Sequence, residues 1–158
     1  MLQRLNDEIK QAMRDRAKLR LQTLRSIMND FKNGGIDKKG AKGLTEEVAS
    51  PAEYLDESEM VKILQGAAKR RREAAEQFTV GNRPELAAQE EEELGILEEF
   101  LPAAMGEEEL KAIVAKAIAE VGASSMADMG KVMKVVQGEV AGRAEGGAIS
   151  GIVRGLLG

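Results

Sequence analysis

Apolar residues recur every three or four positions along most of this chain, which is the spacing of amphipathic helices. A first stripe contains Leu2, Leu5, Ile9, Ala12 and Met13, and a second contains Leu21, Leu24, Ile27, Met28 and Phe31. Asn33-Gly34-Gly35 follows the second stripe and predicts the end of that helix, because Asn and Gly tolerate left-handed backbone. Residues 33–55 lack a clear period, so we expect a flexible linker there, with a helical turn near Thr45.

A long helical hairpin is predicted after this linker. Asp56 and Glu59 have the spacing of a capping box, in which each side chain accepts a hydrogen bond from the other residue's backbone N–H. The apolar stripe that follows ends at Val80-Gly81-Asn82. Pro84 suits the first turn of the next helix, and Pro102 stops it. Two helices joined by so short a turn should run antiparallel.

Three shorter apolar stripes follow Pro102. Gly122 closes the first predicted helix, Ser124 or Ser125 caps the second, and Gly146-Gly147 separates the second from the third. No segment alternates between apolar and polar residues with a period of two. The predicted fold is therefore all-α, with a four-helix region in residues 1–101 and a small three-helix bundle in residues 102–158.

The 158 residues include neither Cys nor His. The chain therefore has no imidazole to act as a general base near neutral pH, no nucleophilic triad and no ordinary zinc site. It also lacks a P-loop, and the glycine-rich segment 146–151 follows no predicted strand. We expect no catalytic residue, no metal and no cofactor.

The formal net charge of −4 is unevenly distributed. Residues 1–32 carry eight basic and four acidic side chains, whereas residues 56–101 carry six basic and twelve acidic ones. This balance argues against a strongly basic DNA-binding protein but leaves room for a local basic patch. The N-terminus lacks the apolar run of a signal peptide, and no segment has the roughly 20 apolar residues of a membrane span. A cytoplasmic location is expected.

Two charged residues occupy apolar stripes of the predicted hairpin. Arg71 lies seven residues from both Leu64 and Phe78, and Glu90 lies on the stripe that contains Leu97. A charge that faces a core needs a partner, because leaving it unpaired costs several kcal/mol. We predict a structural, interhelical ion pair between Arg71 and either Glu90 or Glu93.

Three segments resemble the YqeY family. They are GNRPELAAQEEEELGILEEFLP at 81–102, GASSMADMGKVMK at 122–134 and GRAEGG at 142–147. The C-terminal part is also similar to the tail domain of GatB, the tRNA-handling subunit of the glutamine-dependent aminoacyl-tRNA amidotransferase. The resemblance implies a two-part, all-α fold and an association with tRNA or with amidotransferase or other translation-related proteins. The catalytic region of GatB has no counterpart here, so a carbon–nitrogen ligase label with glutamine as amido-N-donor would be inherited.

The resemblance makes a non-catalytic, tRNA-associated accessory module the first functional hypothesis. Its candidate RNA contacts are Lys131, Lys134, Arg143 and Arg154, which would recognise phosphates and shape because no aromatic residues lie between them. Family members usually carry Lys where this chain has Gly147, so this chain lacks one phosphate contact if that Lys makes one in its relatives. The alternative is a protein-interaction module that docks through its Met-rich C-terminal helices. An independent amidotransferase or ligase is the weakest hypothesis.

Overall fold

The structure is a computed structural model that describes residues 1–158, and it contains seven α-helices, two short 3₁₀ turns and no strand. The helices are α1 (Leu2–Arg14), α2 (Lys18–Lys42), α3 (Glu57–Val80), α4 (Pro84–Glu98), α5 (Glu107–Val121), α6 (Met129–Val140) and α7 (Gly146–Leu157). Helical residues make up 78% of the chain, so the predicted all-α class is confirmed. None of the helices combines the length and hydropathy that a membrane span requires. The chain divides into two compact units, here called unit 1 (Met1–Leu101) and unit 2 (Pro102–Gly158).

Several local sequence signals fix the helix boundaries of unit 1 as predicted. The backbone N–H of Glu59 donates to Asp56 Oδ1, and the backbone N–H of Asp56 donates to Glu59 Oε2, each at 2.8 Å, so the capping box is confirmed. Pro84 opens α4. α1 and α2 are separated at Arg16, whose φ of 55° lies in the left-handed region and interrupts the helix.

The predicted end of the second helix at Asn33-Gly34-Gly35 is wrong, because α2 continues to Lys42 and ends at Gly43 with φ of 61°. The two internal glycines serve close packing instead. A Cβ added to Gly35 would lie 1.8 Å from the carbonyl oxygen of Pro51, and one added to Gly34 would lie 2.6 Å from Ile63 Cδ1. The segment that begins at Pro51 therefore crosses α2 at Gly35, where there is no room for a side chain.

The prediction of a flexible linker over residues 33–55 is therefore wrong at both ends of this range. Residues up to 42 belong to α2, and Pro51–Tyr54 forms a 3₁₀ turn, whereas no helical turn occurs at Thr45. Ala52 and Leu55 are buried in the core of unit 1, which anchors this segment against α2. Residues 44–48 contain no regular secondary structure.

The core of unit 1 is aliphatic apart from Phe31 and Phe100. Its largest fully buried side chains are Leu5, Leu24, Ile27, Phe31, Leu64 and Leu97. At the edge of this core, Arg20 on α2 donates to Glu8 on α1 and to Glu99 just after α4, each at 2.7 Å. The hydrogen bonds to Glu99 and then to Glu8 raise the pKa of Arg20, so the guanidinium holds three parts of the unit together as a permanent cation.

Unit 2 packs three helices around a core rich in valine. Its largest fully buried side chains are Val114, Val132, Val136, Val140, Ile149 and Val153. α5 ends at Gly122, with φ of 64°, as predicted. The predicted break at Gly146-Gly147 is wrong, because these residues form the first turn of α7. Positive φ angles at Ala141 and Gly142 end α6 instead.

Candidate functional site

The outer face of α6 carries the two lysines that the sequence singles out. Val132, Val136 and Val140 are buried on the inner face, and the helical period therefore turns the intervening positions outward. The exposed residues of this outer face, called the α6 arc, are Gly130, Lys131, Lys134, Gln137 and Gly138. The arc is a polar surface with two cations one helical turn apart.

Lys131 is exposed but held loosely by an acidic neighbour. Its Nζ lies 3.2 Å from Asp128 Oδ1, while Asp128 Oδ2 accepts a hydrogen bond from the backbone N–H of Ser124 at 3.3 Å. The Ser124 N–H and then Lys131 lower the pKa of Asp128, which therefore stays ionised. Because the lysine side chain is 72% exposed, this ion pair is weak and can be exchanged for a phosphate.

Lys134 and Arg154 are exposed and form no ion pair. Lys134 lies at the centre of the α6 arc. Arg154 lies in the last turn of α7, where a cation interacts favourably with the helix dipole. Both cations are therefore available to an external anion.

Arg143 differs from the other three candidates because its side chain is engaged within unit 2. Its Nη1 and Nη2 atoms donate to the two carboxylate oxygens of Glu109 at 3.0 and 3.2 Å, and its Nε donates to the carbonyl oxygen of Ala103 at 3.3 Å. Its own carbonyl oxygen accepts a hydrogen bond from the N–H of Met105 at 2.7 Å. Arg143 thus fastens the α6–α7 connection to the start of the unit, and its guanidinium is engaged by contacts within the protein.

Replacing Arg143 with alanine is expected to lower the stability of unit 2 by about 1 kcal/mol, because it removes a bidentate pair and a hydrogen bond at a partly exposed site. Amide hydrogen exchange of residues in α5–α7 measures the change. Arg154→Ala is the matched control, and its effect should stay within about 0.5 kcal/mol. Equal exchange rates in the two variants would show that the Arg143 contacts add nothing.

Arg71 and Glu93 meet between the two helices of the α3–α4 hairpin. Arg71 Nη2 lies 3.3 Å from Glu93 Oε2, and each side chain is only 13% exposed. Glu93 Oε1 also accepts a hydrogen bond from Gln89 at 3.1 Å, whereas Arg71 Nε is buried without a partner. Glu90 is half-buried and forms no ion pair with Arg71. A guanidinium cannot exchange protons near neutral pH, so this pair is suited to holding helices together rather than to chemistry.

The run of four glutamates on α4 does not form a cluster. Glu91 and Glu92 are exposed, and Glu93 turns inward to Arg71. No group of three or more acidic side chains comes together in an arrangement that could hold a metal ion. The run therefore divides between a solvated face and one interhelical contact.

Comparison with known proteins gives a match at the level of the family. No curated protein matches the chain significantly. The family model described as "Yqey-like protein" matches residues 2–157, which is nearly the whole chain and includes both units. The chain therefore belongs to the YqeY family.

Proposed function

We propose that this protein is a non-catalytic, tRNA-associated accessory module of the cytoplasm, in which unit 2 plays a part like that of the GatB tail. Lys134, unpaired and exposed beside the loosely held Lys131, is the observation that carries the proposal. Arg154 adds a third available cation, while Arg143 supports the fold of the unit. Because the arc contains no aromatic residue for base stacking, it would contact phosphates and shape rather than sequence.

The exposed glycines of unit 2 would allow the backbone of a partner to come close to the helices. The glycines whose added Cβ would meet nothing within 4 Å include Gly130 and Gly138 on α6 and Gly147, Gly151 and Gly155 on α7. Each costs about 1 kcal/mol of helix stability relative to alanine. No packing inside the unit requires these glycines. The bare backbone of Gly130 and Gly138 allows an RNA strand to lie close to Lys131 and Lys134 on the same helix.

The test is binding of bulk tRNA to the full chain and to the variant Lys131→Glu/Lys134→Glu. If the two lysines each neutralise a phosphate, the slope of log affinity against log salt should become shallower by about 2 in the variant. Lys62→Glu/Lys69→Glu on α3 is the control, since it changes the net charge equally at exposed positions of unit 1. Absence of binding by the native chain at tens of micromolar and low salt would contradict the proposal. So would equal salt slopes in the two variants.

A protein-interaction module is the second candidate, and one observation favours it. Met126 and Leu156, both in unit 2, are 46% and 52% exposed, although both are large apolar side chains. A partner that docks on the C-terminal helices would remove apolar surface of either side chain from water. Under this alternative, Met126→Ser/Leu156→Ser would abolish capture of a translation-related protein from nuclease-treated lysate, and Lys131→Glu/Lys134→Glu would not.

A further inference from the structure

The outer face of α2 is a row of hydrogen-bond donors that form no ion pair within the protein. The row, called the α2 stripe, consists of Lys18, Gln22, Arg25, Asn29 and Lys32, all of which are exposed. Successive members are three or four residues apart and therefore share one face of the helix. At 1.5 Å of rise per residue, they present a donor about every 5 Å along roughly 20 Å of helix.

The three cations of the stripe are not neutralised. Lys18, Arg25 and Lys32 form no ion pair, and the polar contact of Arg25 is with the sulfur of Met13 at 3.8 Å. The acidic residues of α2, Asp30 and Asp37, lie off the stripe, and Asp30 faces Arg70 of α3. Other cations of the same unit, such as Arg20 and Lys38, are paired with glutamates. The positive charge of the stripe is therefore available to a partner.

Two further cations precede the stripe in the sequence, at the α1–α2 turn. Arg14 ends α1 and Arg16 lies in the turn; both are exposed and neither forms an ion pair. Residues 1–43 carry eleven basic and five acidic side chains, whereas residues 56–101 carry six and twelve. This separation of charge within unit 1 attracts a polyanion toward α2 and repels it from the glutamate-rich hairpin.

The chemistry of the stripe selects among anionic partners. A membrane-binding helix directs its apolar face into lipid, but the apolar face of α2 is buried in the core through Leu24, Ile27 and Phe31. An acidic protein surface also offers carboxylate acceptors to these side chains, but at separate side chains rather than along a continuous backbone. A phosphodiester strand offers acceptor oxygens continuously, and Lys, Arg, Gln and Asn are all side chains that bind phosphate and sugar oxygens.

We propose that the α2 stripe binds the phosphodiester backbone of RNA, as a contact surface on unit 1 in addition to the α6 arc. The choice of RNA over DNA rests on the proposed function. The placement of the site on α2 is independent of the proposed function, since it follows from the free cations and the separation of charge described above. The stripe contacts the backbone without reading its sequence, because it contains no aromatic side chain on which a base could stack.

Binding of a fluorescein-labelled 20-nucleotide poly(U) RNA to the full chain tests this surface by fluorescence anisotropy. For Lys18→Glu/Arg25→Glu/Lys32→Glu we expect affinity to fall about tenfold or more at low salt, and the salt slope to become shallower by about 2, since each contact with a single strand contributes about 0.7. The control variant Lys62→Glu/Lys69→Glu/Arg83→Glu carries the same net charge at exposed positions on and beside α3. Circular dichroism establishes that both variants are folded.

The outcomes separate the two surfaces. Loss of poly(U) binding in the α2 variant, with binding retained by the control and by Lys131→Glu/Lys134→Glu, supports the α2 stripe even if the α6 arc fails its own test. An affinity of the α2 variant equal to that of the control overturns the inference and leaves the proposed function standing. If poly-glutamate competes as strongly as RNA at the same concentration of negative charge, the inference is also overturned, because the stripe would then accept any polyanion.

Discussion

Replacing Gly35 with alanine is expected to destabilise unit 1 by about 3 kcal/mol, a large loss for a single added methyl group. The new Cβ would lie 1.8 Å from the carbonyl oxygen of Pro51 and 2.5 Å from its carbonyl carbon. Backbone cannot rotate away as a flexible side chain can, so the 51–55 segment must lift from α2. That movement would expose Ala52 and Leu55, which are buried in the core.

Chemical denaturation of the full chain, followed by circular dichroism, measures the effect. Gly40→Ala is the matched control, because Gly40 belongs to the same helix and an added Cβ there would meet nothing within 4 Å. Alanine should stabilise the helix at that position by about 1 kcal/mol. The two substitutions are therefore expected to act in opposite directions. A stabilising Gly35→Ala would mean that the 51–55 segment does not cross α2 at this point.

The second large effect is expected from removing the guanidinium between α3 and α4. Arg71→Met should lower the free energy of unfolding by about 2 kcal/mol, because it leaves the Glu93 carboxylate largely buried without its cation. This figure lies below the cost of breaking a fully buried pair, since both side chains retain 13% exposure. Gln89 still donates to Glu93 in the variant and limits the loss.

A double-mutant cycle separates the ion pair from simple packing. Arg71→Met/Glu93→Leu should recover most of the lost stability, because an apolar pair of similar volume carries no desolvation cost. Arg70→Met is the control, as Arg70 is largely exposed and lies 3.7 Å from Asp30; its effect should stay within about 0.5 kcal/mol. Additive effects of the two single substitutions would rule out a coupled pair.

The parts of the fold that the sequence predicts correctly depend on neighbouring residues. The Asp56 capping box and the Pro84 helix start each involve atoms within a single helical turn. Gly34-Gly35 is different, because a glycine that ends a helix and a glycine that admits another segment look the same in the sequence. The Pro51 carbonyl that distinguishes them is sixteen residues away from Gly35 and is brought to it only by folding.

In the candidate sites, too, features that depend on neighbouring residues are predictable and features that depend on distant residues are not. The inward orientation of Arg71 follows from its seven-residue spacing to Leu64 and Phe78. The sequence does not predict that Arg71 pairs with Glu93 rather than Glu90. That choice depends on how the two helices of the hairpin are aligned, and sliding one helix by less than one turn would change the partner. The pair between Arg143 and Glu109 spans 34 residues and has no local pattern at all.

The crossing at Gly35 has a consequence for how the sequence can vary among relatives. Lys42 is fixed by α2 and Pro51 by its contact with Gly35, so the eight residues between them form a surface loop with two anchored ends. Doubling the length of such a loop costs only about 0.6 kcal/mol in closure entropy. Insertions and deletions should therefore accumulate at 43–50, while Gly35 and the buried Ala52 and Leu55 tolerate little change.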